Sequence, residues 1–241
     1  MGRVALAVCA HPDDLEFFCG GSAVAMVRDG WNVWLTIATD GDRGTHDPTV
    51  SRESLAAIRR EESRKAGQML GLSGIVFLGK EDGELYADSS LRRDLARVYR
   101  QVRPDRLITF DPWRRYELHP DHRAIGFAAI DARLAARLPH YYSDLLRDGL
   151  EPCTIKEILL FNADAPDYYV DIASTFDAKL SALGEHRSQW ETIWDDTARS
   201  LRQEAESAGR SSGYAMAEAF KRIFVPMGPV SAGWRPREEG C

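Results

Sequence analysis

Short apolar runs and longer amphipathic segments alternate along most of this chain. The run Val4-Ala5-Leu6-Ala7-Val8, within residues 3–9, predicts a buried strand, and Gly20-Gly21 opens a helix that carries Ala23, Val24, Met26 and Val27 toward Gly30. Val33 to Ala38 predicts a second buried strand, followed by the Asp- and Gly-rich loop Thr39 to Thr45. Ser51 to Leu70 reads as a helix with Leu55, Ile58, Ala66, Met69 and Leu70 on one side and Gly71 as its stop. Ile75 to Leu78 follows as a strand, then a helix from Leu91 to Val102 that ends before Pro104. Arg106 to Phe110 makes a fourth strand, broken by Asp111-Pro112, and a helix runs from Pro120 to Leu138. Ile155 to Phe161 makes a fifth strand, ahead of Tyr168-Tyr169-Val170-Asp171. Beyond Thr175 the pattern is helical, through Lys179, Leu180, Leu183 and His186, and continues as a polar, acidic stretch past Trp190, Trp194 and Leu201. Residues 226–241, rich in Pro, Gly and charge, predict an irregular tail.

This alternation predicts an α/β fold: a mostly parallel sheet flanked by helices, with a helical C-terminal part and a single domain over residues 1–241. In such sheets ligands gather outside the carboxyl ends of the strands. A formal charge of −6, with arginines scattered among acids, argues against a nucleic-acid partner. The cysteines Cys9, Cys19, Cys153 and Cys241 form no CxxC pair or dense framework, and no apolar run reaches the roughly 20 residues of a spanning helix. The expectation is a reduced, cytoplasmic protein without an integral membrane segment, with assembly into a homo-oligomer left open.

Chemistry concentrates at two segment boundaries. Cys9-Ala10-His11-Pro12-Asp13-Asp14-Leu15-Glu16 follows the first strand, and His119-Pro120-Asp121-His122 opens the helix after the fourth. A catalytic divalent ion takes three protein ligands and keeps an open position, and Zn²⁺ accepts imidazole nitrogen and carboxylate oxygen alike. His11, Asp14 and His122 fit that count. Asp13 points elsewhere than Asp14 and is left as the general base. His119 shares a face with His122 across Pro120 and can stabilise an oxyanion or protonate a leaving amine, while Asp121 can orient an imidazole. A single Asp here would pass as a helix N-cap, but capping needs one acceptor and no imidazole, so two histidine-carboxylate clusters favour a metal. His46, His140 and His186 lack such company, and Cys9 and Cys19 read as small buried hydrophobes. Trp113, Tyr116, Tyr141 and Tyr142 either stack on a ligand or pack under their loop.

Ala10-His11-Pro12-Asp13-Asp14 followed by Gly20-Gly21, with His119-Pro120-Asp121-His122 later, resembles the PIG-L/LmbE-like zinc de-N-acetylase family. Thr39-Asp40-Gly41-Asp42-Arg43-Gly44, Arg59 with Glu62, Ala66 and Leu70-Gly71, Asp82-Gly83-Glu84-Leu85 and His186-Arg187-Ser188-Gln189 follow in the family's order, so the likeness spans roughly residues 3 to 190. The resemblance implies a Rossmann-like sheet and hydrolysis of an N-acetyl group from a GlcNAc-type sugar or conjugate, giving free amine and acetate. It implies Zn²⁺, with Fe²⁺ or Co²⁺ as alternatives, held by His11, Asp14 and His122, with Asp13 as base, His119 assisting, Asp121 tuning His119, and Arg59 and Asp82 gripping sugar hydroxyls. Phe17, Phe18 and Cys19 depart from the family's smaller residues and imply a different pocket floor. The rival readings are a metal-dependent phosphoesterase or other amidohydrolase, for which no GxxxxGK[ST] loop is present, and a non-catalytic sugar- or nucleotide-binding module.

Overall fold

The computed structural model describes residues 2–226. Its strands are β1 (Val4–Cys9), β2 (Asn32–Thr39), β3 (Gly74–Lys80), β4 (Arg106–Phe110), β5 (Glu157–Phe161), β6 (Tyr168–Asp171) and β7 (Ala217–Phe224). The helices are α1 (Asp14–Arg28), α2 (Arg52–Leu70), α3 (Ser89–Val102), α4 (Pro120–Arg137), α5 (Ser143–Arg147), α6 (Phe176–Leu183), α7 (Arg187–Trp190) and α8 (Trp194–Ser212). The strands form one 7-stranded sheet in the order β3-β2-β1-β4-β5-β7-β6. Every pairing from β3 to β5 is parallel, and β7 runs antiparallel to both its neighbours. The mostly parallel α/β sheet predicted from the alternation is therefore present.

β1 lies inside the sheet between β2 and β4, and residues Ala5 to Ala10 are fully buried. A strand covered by helices on both faces is apolar at every position, which is why Val4 to Val8 shows no alternation. From β1 the chain builds outward through β2 and β3, then returns to place β4 on the other side. The crevice where strand order reverses is the usual ligand site of such sheets. Both histidine-carboxylate clusters emerge there, after β1 and after β4.

Three local differences from the sequence reading have physical reasons. α1 begins at Asp14 rather than at Gly20-Gly21, with a break in helical geometry at Cys19 (φ −147°). The glycine pair serves close packing: a Cβ at Gly21 would lie 2.8 Å from Ile172, and one at Gly20 would crowd Lys179. Just past the break, the freed Gly21 and Ser22 amides donate to Glu218 at 3.1 and 2.7 Å, so this β7 side chain caps the helix's second half. The alternation of apolar and polar positions does not mark β6 or β7 as strands. β7 carries Glu218, Lys221 and Arg222 among its apolar residues, and its pattern becomes intelligible only once Glu218 has Lys179 as partner. Of the tail expected at 226–241, all but Pro226 lies outside the described residues.

Capping follows the sequence closely elsewhere. Ser51 accepts from the Ser54 amide, Asp88 from the Leu91 amide, and Gly71 closes α2 in the left-handed region (φ 75°). A second, smaller apolar cluster of Ile172, Phe176, Leu183, Leu201 and Ala205 packs α6 and α8 together, with Phe17 and Trp190 at its border. No helix among the described residues is long and apolar enough to cross a membrane. Cys9, Cys19 and Cys153 are buried free thiols.

Candidate active site

The turn after β1 sends two adjacent carboxylates in different directions. Asp13 sits at φ 92°, a left-handed conformation that costs a non-glycine residue about 1–2 kcal/mol and marks strained functional loops. Although Asp13 is the N-cap residue of α1, its side chain makes no capping bond. Asp14 folds back instead, its Oδ2 accepting from the amides of Ala10 and His11 at 2.9 and 2.8 Å. This fixes the loop and leaves Oδ1 of Asp14 facing His122 Nε2 at 3.6 Å. His11 Nδ1 lies 3.7 Å from Asp14 Oδ2.

These separations exceed a hydrogen bond. Ligands at about 2.1 Å from a tetrahedral ion stand about 3.4 Å apart, close to the separation of each imidazole from its own Asp14 oxygen. One nitrogen each from His11, His119 and His122 also lies within 4.8 Å of the other two. The residue types fit a borderline cation such as zinc, and the backs of both outer rings are braced. His11 Nε2 faces Asp121 Oδ2 at 3.2 Å and Asp82 Oδ1 at 3.3 Å. His122 Nδ1 faces Glu117 Oε1 at 3.5 Å, and its ring stacks on Phe110 with centroids 4.0 Å apart. Carboxylates behind ligating histidines fix ring orientation and raise basicity.

Asp121 is fully buried and further held by the amides of Gly83 and Leu85 at 2.8 and 3.1 Å. Its expected partner was His119; its carboxylate lies on His11 instead, because the helix start at Pro120 turns it inward toward the Gly83 loop. His119 caps α4, its Nδ1 accepting from the Asp121 amide at 3.3 Å. With Nδ1 an acceptor, Nε2 carries the proton. Burial, reinforced by His11 and His122, lowers the His119 pKa, which favours the neutral ring.

Arg59 is 4% exposed and already engaged: Nη1 donates to Gly41 O and Nη2 to Pro12 O, with Asp13 Oδ1 at 3.4 Å. A Cβ at Gly41, itself at φ 60°, would collide with that guanidinium. Asp82 accepts from the Arg43 amide at 2.9 Å. Both side chains line the cavity while bracing the loops that carry Asp13 and His11.

Burial pushes Asp13 up to about 6, with Arg59 pulling it down and Asp14 pushing it further up. On Asp14 the same burial is outweighed by His11 and His122, which hold it well below the usual carboxylate range. Two neighbouring carboxylates pushed apart in this way divide into a proton acceptor and a permanent anion. Burial works against charge on His11, yet Asp121, Asp14 and Asp82 together raise its pKa.

The cavity over these groups measures about 330 Å³, within the range of small-molecule sites. Its aromatic wall is Phe17, Phe18 and Trp190. Trp113, Tyr116, Tyr141 and Tyr142 do not line it: Trp113 meets Phe127 edge-on, Tyr116 is exposed and Tyr142 bonds Arg92. Sequence reasoning missed Glu117 behind His122, Trp190, whose indole donates to Asp13 Oδ2 at 3.0 Å, and the buried pair His186–Glu16 at 3.5 Å. The usable signal was position alone: Glu117 precedes the second cluster and Trp190 directly follows the late motif that runs from His186 to Gln189.

Residues 6–133, which hold both clusters, match the family described as PIG-L: GlcNAc-PI de-N-acetylase. The chain belongs to the PIG-L family. It is 36% identical over 222 residues to a diacetylchitobiose deacetylase of Thermococcus kodakarensis, covering 92% of this chain and 82% of that protein. It is 32% identical over 202 residues to a Bacillus cereus protein named "Probable N-acetyl-alpha-D-glucosaminyl L-malate deacetylase 2", covering 82% of this chain and 88% of that protein. Among solved structures it superposes on N,N'-diacetylchitobiose deacetylase from Pyrococcus horikoshii with TM-score 0.88 and 35% identity, over 92% of this chain and 84% of that one. Its similarity to these deacetylases over nearly the whole chain makes it a deacetylase, a hydrolase of N-acetyl amides.

Proposed function

We propose that this PIG-L protein hydrolyses the N-acetyl group of a GlcNAc-type sugar or conjugate, releasing free amine and acetate, with Zn²⁺ held by His11, Asp14 and His122. The observation that carries the proposal is the placement of Asp13, a carboxyl pushed up to about 6, in the same cavity as those three donors. A bound zinc supplies Lewis acidity toward the amide oxygen and makes a water acidic near neutral pH.

The chain's own residues then divide the work. Asp13 takes the proton from the attacking water; a base with a pKa just below working pH is ionised and still basic enough for that transfer. His119, neutral with Nε2–H free, donates to the oxygen that gains negative charge, a contribution of about 3 kcal/mol for one preorganised donor. The proton held on Asp13 is returned to the departing nitrogen, which leaves as the amine. Arg59 and Asp82 keep the Asp13 and His11 loops in place, and their cavity-facing atoms are the candidates for sugar hydroxyls.

A phosphoesterase reading has less support. Arg59 is the only guanidinium among the described residues lining the cavity, and Asp13, Asp14 and Asp82 beside it disfavour a phosphate. The test is the zinc-loaded protein with N,N'-diacetylchitobiose and a panel of N-acetylglucosamine conjugates. Acetate and primary amine appearing in equal amounts support the proposal, and zinc-loaded protein that liberates neither from any of them overturns it. Substitution of Fe²⁺ or Co²⁺ in the same assay decides the metal.

A further inference from the structure

We infer that Trp190 is a positioning residue for the proton-accepting carboxylate: its indole N–H fixes the rotation of Asp13 so that a lone pair faces the reacting water. The inference rests on the deacetylase reading above and goes beyond it, since no acid/base chemistry belongs to Trp190 itself.

Asp13 has a strained backbone and no capping bond, so its side chain is not held by its own helix. Its two oxygens are held from two other segments. Arg59 on α2 stands 3.4 Å from Oδ1, and Trp190 Nε1 donates to Oδ2 at 3.0 Å. The Arg59 contact is long because its nitrogens already serve Gly41 and Pro12. The indole bond is the shorter and more directional of the two, and indole N–H is a donor only, so it cannot compete for the proton that Asp13 must take.

Trp190 is itself anchored well enough to position another group. The Ser188 amide and hydroxyl donate to Glu62 on α2 at 2.8 and 2.7 Å, and Gln189 donates to Gly44 O at 3.0 Å. The indole face stacks on Phe17 with centroids 5.3 Å apart and an interplanar angle of 21°. The segment carrying the late motif is thereby clamped to α1, α2 and the loop after β2, and its end reaches the base from across the cavity.

The test compares full-length, zinc-loaded wild type, Trp190→Phe, Asp13→Asn and the double variant on whichever N-acetylated sugar the wild type turns over. Phe keeps the stack on Phe17 and removes only the donor. Trp190→Phe is expected to lower kcat by about 10- to 100-fold, the worth of a hydrogen bond to a charged group. KM is expected to stay within about twofold, because a bond made to the base rather than to the sugar leaves ground-state binding alone. Zinc content and Tm should match wild type. In the Asp13→Asn background the same change should cost little more, since the carboxylate it orients is gone. An unchanged kcat in Trp190→Phe, a loss confined to KM, a loss that tracks zinc content, or an equal loss in both backgrounds overturns the inference. Should wild type itself turn over no N-acetylated sugar, the deacetylase reading fails, and that failure is distinct from any difference among the variants.

Discussion

Two buried clusters of charge, both built around α1, behave in opposite ways. At its C-terminal half, Lys179 Nζ lies 2.5 Å from Glu218 Oε1, and Glu218 also accepts from the Gly21 and Ser22 amides. Every strong group there has a partner at hydrogen-bonding distance. At the N-terminal end of the same helix, His11 and His122 stand 3.7 and 3.6 Å from the two oxygens of Asp14, beneath a cavity. Lys179, Glu218, His11 and Asp14 are all buried, and His122 is partly so. The difference is satisfaction: a closed network spends its charge on holding α1, α6 and β7 together, whereas a braced but open set of donors retains capacity for a ligand.

The largest effect expected from this contrast is on the open cluster. His122→Ala should remove both zinc and turnover, read by metal analysis beside acetate release. Asp13→Ala should keep zinc and lose about 10²- to 10⁴-fold in kcat, because it removes only the proton acceptor. Equal zinc loss in the two variants would reject the division between ligand and base. For the closed cluster, Lys179→Met should leave zinc content unchanged and cost about 3–5 kcal/mol in denaturant unfolding, since Glu218 is left buried beside two amides but without its cation. Adding Glu218→Gln should recover part of that loss. No second substitution should restore turnover to Asp13→Ala.

A subtler test uses pH. Asp13 must be ionised to act, so kcat/KM should fall as pH drops through about 6, or somewhat lower with a cation bound beside it. Arg59 lowers that pKa, so Arg59→Gln should move the acid limb to higher pH. An unmoved limb would show that the limb belongs to another group. Smallest of all, Arg60→Ala breaks a half-exposed pair with Asp40 and should cost less than about 1 kcal/mol, with turnover intact.

Much of this was legible in the residues. Full apolarity from Val4 to Val8 marks a strand covered on both faces, and Ser51, Asp88 and Gly71 announce their helix ends through short-range bonds. The two clusters were visible because each is contiguous in sequence. β7 was not legible, because a buried glutamate is tolerable in a strand only when a lysine on α6 and the amides of α1 reach it. The aromatic wall was not legible for a similar reason: Trp113 and Tyr116 are near His119 in sequence but do not line the cavity, and Trp190 reaches it from a distant segment.

By itself, then, the sequence determined the alternation of strands and helices, the family and the residue types available for chemistry, since periodicity, capping and contiguous motifs are local properties of a chain. Only the tertiary structure decided which atoms face one another. It turned Asp121 toward His11 rather than His119, engaged Arg59 with two carbonyls, and brought an indole to the base from a distant segment. Such pairings depend on where α2, α4 and α7 pack around the crevice between β1 and β4, and distance in space across a sheet is not written in distance along the chain.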